Sequence, residues 1–453
     1  MRRARGESCG GHARSIAWTM LASVASLLCG CATYHSKPLP EAPDLTRVPP
    51  LTVPAASFGL PGLPAAPFDP QRGLTETNII TLAVADNPRL KAERLRAGVA
   101  RAQLLEAGLL PDPQLSGGMS WSAVRTGYDA ALAGDIRALI TRGAARGAAA
   151  AHVRQVSLEI LWREWQVAER ARELYIQLDA LDGLRAVLGE RRRLLGRLYR
   201  RDRASLGRGE VTALAVTADF ETWRAAEAQW RSFELEDNQA LHALDELLGL
   251  APGVRLPLQA GTQMQEPLTA AEYRAALAAL PHRRPDLLAL QAGYRSQEEK
   301  LREAILAQFP LASAGVTKAR SAEEGVQTVG FNITLTLPLF DRNRGAIAIG
   351  RATRGYLRQS YQAALDDAES QADELREASR TMRRQLRVLG GKLPDLKRTA
   401  AAAKASLGRG ELGLADYARA QSNSLAAQAE VIRLRASLGQ AQAALGLLLA
   451  LPF

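Results

Sequence analysis

Ser205-Leu206-Gly207-Arg208-Gly209-Glu210 recurs letter for letter as Ser406-Leu407-Gly408-Arg409-Gly410-Glu411, 201 residues later. Leu247-Leu248-Gly249-Leu250 answers to Leu448-Leu449-Ala450-Leu451 at the same spacing. Solenoid units repeat every ~20–50 residues, so a period this long means a duplicated half-molecule. Nearer the start of each half the offset is shorter. Pro88 with Pro285, Glu106 with Glu303, Ala107 with Ala304 and Pro113 with Pro310 all stand 197 apart. The drift between the two spacings places insertions between these anchors, in a loop-rich stretch that tolerates them.

Working outward from the motif, each copy closes a very long helical stretch, about 138–203 and about 344–405. Ile160, Val167, Leu174, Leu181, Leu188 and Leu195 are seven apart, and Tyr361, Ala368, Leu375, Met382, Leu389 and Leu396 keep that register 201 residues on. Sustained seven-residue spacing buries one seam in a left-handed coiled coil. About 65 residues of helix span roughly 100 Å. Pro394 falls inside the second stretch and is expected to bend it. Further helices are expected over about 74–108, 211–248, 286–308 and 413–450. Low aromatic content (5%) in an Ala-, Leu- and Arg-rich chain of 453 residues suits long helices better than sheet sandwiches.

Between the helices of each half lie two short strand candidates, about 114–123 with 127–135 and about 311–319 with 328–339. The last is the clearest. Val329, Phe331, Ile333, Leu335, Leu337 and Leu339 alternate with Gly330, Asn332, Thr334, Thr336 and Pro338. A period of two puts one apolar face against one polar face. Its length also suits a tilted membrane strand of about 9–11 residues. A soluble, half-buried hairpin would read the same way.

The amino-terminal segment has another purpose. Arg2, Arg3, Arg5 and Arg14 precede an apolar run from Ile16 to Leu28, the order of a secretory signal. That run is too short to span a bilayer, which takes roughly 20 residues. It ends Leu28-Cys29-Gly30-Cys31, and all three cysteines of the chain lie in this segment. Ten prolines between Pro38 and Pro70 mark 32–72 as an extended arm.

The net charge is +11, and residues 1–30 supply +3 of it. The remaining arginines are mixed with acids along helix faces, which reads as a solvated surface and not a nucleic-acid footprint. Five histidines are scattered, and no His/Cys/carboxylate set has metal-ligand spacing. There is no phosphate loop and no nucleophile motif. Neither an enzyme nor a cofactor is expected.

This constellation resembles the TolC-type outer-membrane efflux proteins over about residues 73–453. Leu109-Leu110-Pro111-Asp112-Pro113 and Pro338-Leu339-Phe340-Asp341-Arg342-Asn343-Arg344-Gly345 look closest to the heavy-metal (Czc-type) branch. The first half departs from the second motif, with Gly134-Asp135-Ile136-Arg137 in its place. Leu28 to Cys31 resembles a bacterial lipoprotein signal, which makes Cys31 the lipidated residue. The implied fold is mainly α with β membrane strands. Long coiled-coil helices build a periplasmic α-barrel, and four strands per chain enter a trimeric, twelve-stranded β-barrel. The expected division is a signal peptide over 1–30, the arm over 32–72, and two efflux repeats over 73–258 and 268–453.

The implied function is a passive outer-membrane exit channel. Its partners are two further copies of itself, outer-membrane lipid, a periplasmic adaptor and an inner-membrane pump of the resistance-nodulation-division class. The expected cargo is heavy-metal cations. Drug or organic-solute efflux, type I secretion, or a structural periplasmic coiled-coil lipoprotein are the alternatives. Leu206, Gly207, Arg208, Gly209, Leu407, Gly408, Arg409 and Gly410 fall at the helix-joining tips, where the family meets its adaptor. All four glycines are read as positions that permit positive φ. Asp416 is the candidate for an acidic pore constriction. Val329, Phe331, Ile333, Leu335 and Leu337 form the expected lipid-facing row.

Overall fold

The computed structural model describes residues 34–47, 73–123, 125–261, 266–309 and 311–451. The signal segment with Cys31, and most of the Pro-rich arm, lie outside the described residues. Residues 34–45 belong to a small unit of exposed, irregular backbone. Everything below concerns the second unit, from Thr46 onward.

Helix α1 (Glu76–Asp86) starts on a capping box between Thr75 and Asn78 and buries Ile79, Ile80, Leu82, Ala83 and Val84. The single helix expected over 74–108 is in fact two. Pro88 cannot continue α1, so helix α2 (Pro88–Gly108) begins afresh with Asn87 as its cap. Asn87 Oδ1 accepts from the Leu90 amide at 2.9 Å, and its Nδ2 donates to the Leu247 carbonyl at 2.9 Å. One residue thus caps a helix and ties it to the far end of its half.

Strands β1 (Gln114–Trp121) and β2 (Thr126–Asp135) follow, then helix α3 (Arg137–Leu206, 70 residues) and helix α4 (Ala213–Leu248). The second half replays the order. It contains helices α5 (Ala270–Arg283) and α6 (Pro285–Leu306), strands β3 (Leu311–Arg320) and β4 (Gln327–Thr336), and helices α7 (Arg344–Gly408, 65 residues) and α8 (Leu414–Leu448). Helix α5 was not expected. Its Thr269 and Glu272 form a reciprocal capping box, and it is the counterpart of α1. Strand β4 stops at Thr336, so Leu337 and Leu339 lie beyond it. Pro338 has no amide to give the ladder. Helix α7 continues across Pro394 without ending there.

The main core wraps α3. Ala168, Ala171, Leu174, Leu178, Leu181, Leu184 and Leu188 pack with Leu82, Phe233, Ala240 and Leu244 from α1 and α4. Each fully buried Leu contributes about 1.5–3 kcal/mol at most. Helices α1, α2, α4, α6 and α8 all lie against α3, whereas α7 lies against α6 and α8 and packs Ala368 and Ala372 on Leu280, Tyr273 and Ala276 of α5. Two isolated parallel bridges, Thr46 with Leu250 and Leu74 with Leu258, bind chain segments to the α4 end.

Candidate functional site

The four strands form one antiparallel sheet in the order β1-β2-β3-β4, so the two halves meet at the β2–β3 pair. Directly opposed residues share a face. Register therefore aligns Leu115 with Leu132, Leu132 with Val316 and Val316 with Phe331. This apolar row crosses every strand. A neighbouring row on the same face holds Gly117, Ala130, Lys318 and Val329. The opposite face carries Gln114, Ala133, Gly315 and Asn332 in one row and Ser116, Ala131, Thr317 and Gly330 in the next. One side is thus apolar apart from Lys318 and, nearer the strand end, Arg320, and the other is small and polar.

The apolar side is uncovered. Val329, Phe331, Ile333 and Leu335 are 56–73% exposed, and Leu337, just past the strand, is 61% exposed. Leu115 and Trp121 on β1 are equally bare. Both outer strands, β1 and β4, also have an edge without a neighbour among the described residues. No helix among the described residues is long and apolar enough to cross a membrane.

At the other end of α3, the repeated motif folds as two copies of one turn. The Glu210 amide donates to the Ser205 carbonyl at 3.1 Å and the Gly209 amide to the Leu206 carbonyl at 3.0 Å. Glu411 and Gly410 make the same pair of bonds to Ser406 and Leu407, at 2.9 and 3.1 Å. This is the Schellman closure, whose C′ residue adopts a left-handed backbone. Gly209 has φ +75° and Gly410 φ +74°. The expectation for Gly207 and Gly408 is corrected. Gly207 has φ −63°, and Gly408 is the last residue of α7, so neither holds positive φ.

The motif's arginines are clasped within their own turns. Arg208 donates from Nε and Nη2 to the two oxygens of Glu210 at 2.7 and 2.9 Å, and from Nη2 to Ser205 Oγ at 2.9 Å. Arg409 repeats this with Glu411 and Ser406. The Arg208 guanidinium holds the Glu210 carboxyl down at about 2, and Arg409 lowers Glu411 likewise. Ser205, Glu210, Ser406 and Glu411 thus belong to the site, and the exact repetition of Ser and Glu was the signal for it. Arg208 and Arg409 are thus locally neutralised. Leu206 and Leu214 stand exposed at the first turn, whereas Leu407 is half-buried, and Leu414 packs on Leu194 and Leu198 of α3.

Asp416 lies in the first turn of α8, where an acid suits the helix dipole, and it accepts from Arg419 at 3.3 Å. A second acidic feature nearby escaped the sequence reading. Burial pushes the Asp219 carboxyl of α4 up to about 6, helped by a hydrogen bond with Asp202 of α3 and opposed by Arg419. Two isolated aspartates on different helices leave no mark in the sequence. Tyr199, Phe220 and Trp223 pack together nearby, with the Tyr199 and Trp223 rings stacked at 5.3 Å. Among the described residues no three His, Cys, Asp or Glu side chains gather as a metal site.

Residues 276–451 match the family model described as outer membrane efflux protein. Solved structures extend the likeness to nearly the whole chain. A membrane protein from Pseudomonas aeruginosa aligns at TM-score 0.69 and 20% identity, covering 93% of this chain and 98% of its own. The CmeC outer membrane channel of Campylobacter jejuni aligns at TM-score 0.68 and 17% identity, covering 93% and 95%. The CusC channel protein aligns at TM-score 0.65 and 17% identity, covering 91% and 99%. This is the fold of the TolC-type outer-membrane efflux proteins. No curated protein sequence matches the chain. In this chain the strands precede the two long helices and the paired turns follow them, so the two features lie at opposite ends of those helices, about 100 Å apart by helix length.

Proposed function

We propose that this chain is the outer-membrane exit duct of a tripartite efflux assembly. The apolar row Leu115–Leu132–Val316–Phe331 supports this most strongly. A soluble sheet covers its apolar face with another layer. Here the face is uncovered and matches the belt of a membrane strand. Four strands cannot close a barrel, and open edges are not tolerated in lipid. More than one copy is therefore needed, and the resemblance to the TolC-type channels makes it three copies and twelve strands, with the small polar face lining the lumen. The chain supplies a passive path, and energy comes from an inner-membrane pump.

The two Schellman turns are the docking points for a periplasmic adaptor. With each Arg held by Glu and Ser, the turn offers a rigid backbone and an apolar shoulder at Leu206 and Leu407. Asp416, one per copy, forms a three-membered acidic ring in the trimer. Cys31 carries the lipid anchor. Heavy-metal cations are the cargo, a reading that rests on the Leu109–Pro113 and Pro338–Gly345 segments.

Accessibility at neighbouring strand positions tests the membrane assignment. In intact outer membranes, Phe331→Cys should resist a water-soluble thiol reagent and Asn332→Cys should react. Equal labelling of the two would contradict a lipid-facing row.

A further inference from the structure

A cavity of about 90 Å³ opens between α5, α7 and α8 in the second half. Its floor is apolar, formed by Leu268, Tyr273, Leu445 and Leu451, and Arg376, Arg380 and Arg383 of α7 line one wall. These arginines follow each other at helical spacing, so they share one face of α7. Glu266 is the acid among the lining residues. Further acids lie close by: Asp373 accepts from the Tyr273 hydroxyl at 2.6 Å, Glu369 acts on the same tyrosine, and Glu377 accepts from Arg380, which leaves Arg380 already ion-paired on one side.

Two further observations mark this as a built site. Ser379 lies on the same face of α7, is only 7% exposed, and its Oγ has no hydrogen-bond partner among the described residues. A buried hydroxyl left unmatched costs about 1–3 kcal/mol. Gly446 of α8 also lines the cavity, and a Cβ built there would meet nothing within 4 Å. The missing side chain is what keeps the space open. Gly is a poor residue near a helix end that needs no positive φ, by about 1 kcal/mol relative to Ala. The Arg376 guanidinium, 4.0 Å above the Tyr273 ring centroid, is held in place by the ring.

We propose that this cavity binds a small organic carboxylate with a short apolar body, of about the size of benzoate. An enclosed apolar cavity of roughly 150 Å³ holds benzene, so about 90 Å³ takes part of such a ring, and the rest of the molecule stands in the open mouth beside the arginines. The carboxylate lies against the guanidinium wall and accepts from Ser379 Oγ, while the apolar body rests on the leucine floor. Inorganic phosphate lacks the apolar body, and a neutral aromatic lacks the charge. Occupancy would pin α7 to α5 and α8. The inference does not depend on the channel reading, since it concerns only this helical corner.

The test is titration calorimetry on the detergent-purified full chain, with benzoate, benzyl alcohol and inorganic phosphate as separate probes. Benzoate should bind, and the other two should bind at least tenfold more weakly. Gly446→Leu should abolish benzoate binding by filling the space, and its Cβ would meet nothing within 4 Å; circular dichroism of the variant checks that the helices stay folded. Arg380→Gln with Arg383→Gln should weaken binding by about tenfold or more, the scale of a lost charge-assisted bond. Ser379→Ala should weaken it less. Absence of benzoate binding, equal binding of benzyl alcohol or phosphate, or undiminished binding in Gly446→Leu would each overturn the proposal.

Discussion

The two long helices share a register yet lead different lives. In α3 the seam residues Ile160, Leu174, Leu181, Leu188 and Leu195 are buried and Val167 nearly so, because five helices of the same chain surround them. In α7 the equivalent seam holds Tyr361, Ala368, Leu375, Met382, Leu389 and Leu396, and only Ala368 is buried. Duplication copied the pattern and not the environment. Helix α3 is the core of one chain, and α7 is its edge. An edge helix with a half-used seam, next to a sheet whose outer strands are unpaired among the described residues, fits the proposal that further copies complete the chain. The turns that end these helices teach the converse. Their closures are made entirely within six residues, so the copies stayed identical whatever surrounds them.

That contrast can be broken in several places. The largest effect is expected at the matched turns. Gly209→Leu with Gly410→Leu forces branched side chains into positive φ, which is strained at roughly 1–2 kcal/mol per residue or more. Adaptor capture in a pull-down should be lost while assembled copies remain. Gly207→Ala with Gly408→Ala, at right-handed positions, should retain capture. Reversed behaviour would undo the assignment of the left-handed positions.

Next comes the seam. Leu181→Ala should cost about 2–5 kcal/mol, as large-to-small changes in a packed core do. Met382→Ala, its counterpart 201 residues on, should cost much less in the isolated chain. Its cost should grow on assembly. Thermal unfolding followed by helical circular dichroism, before and after dissociation, checks both.

A subtler asymmetry closes each half. Gly249 ends α4 at φ +66°, and at the matching position Ala450 ends α8 at φ +51°. A Cβ on Gly249 would come within 3.1 Å of Pro88 Cγ, so Gly249→Ala should destabilise by about 1–3 kcal/mol. Ala450→Gly relieves left-handed strain and should stabilise by up to about 1 kcal/mol. Paired thermal melts should show opposite signs.

The smallest effect concerns pH. The Asp219 carboxyl titrates at about 6 in the folded chain, above its ordinary value of 3.8, because of burial and Asp202. Between those values the folded chain holds a proton that the unfolded chain has released. Stability from this group is therefore full below about pH 4 and is lost as pH rises through about 6. Asp219→Asn should flatten that slope in denaturation midpoints measured from pH 4 to 7. Ala420, at its matching position in α8, offers no such titration.

Much of this was legible in the sequence because the signals were local or periodic. Seven-residue spacing exposed α3 and α7, and strict alternation exposed β4. What it hid depended on context. Pro88 and Pro285 were visible as a matched pair, but their role as fresh helix starts needed Asn87 and Arg284 as the preceding caps. Helix α5 had its Thr269–Glu272 box in plain view, with too short an apolar pattern to stand out. The weak strands β1 to β3 became persuasive only through register, which sets Leu115, Leu132 and Val316 beside Phe331. Which motif glycine takes positive φ was likewise a matter of one-residue phase at the helix end, and composition cannot fix that phase.

The number of chains in the detergent-extracted particle, weighed by native mass spectrometry, tests the central claim most directly. Three chains per particle, with β1 of one copy crosslinking to β4 of the next, is the expected result. A stable single chain, with 311–336 open to protease, would contradict the membrane channel.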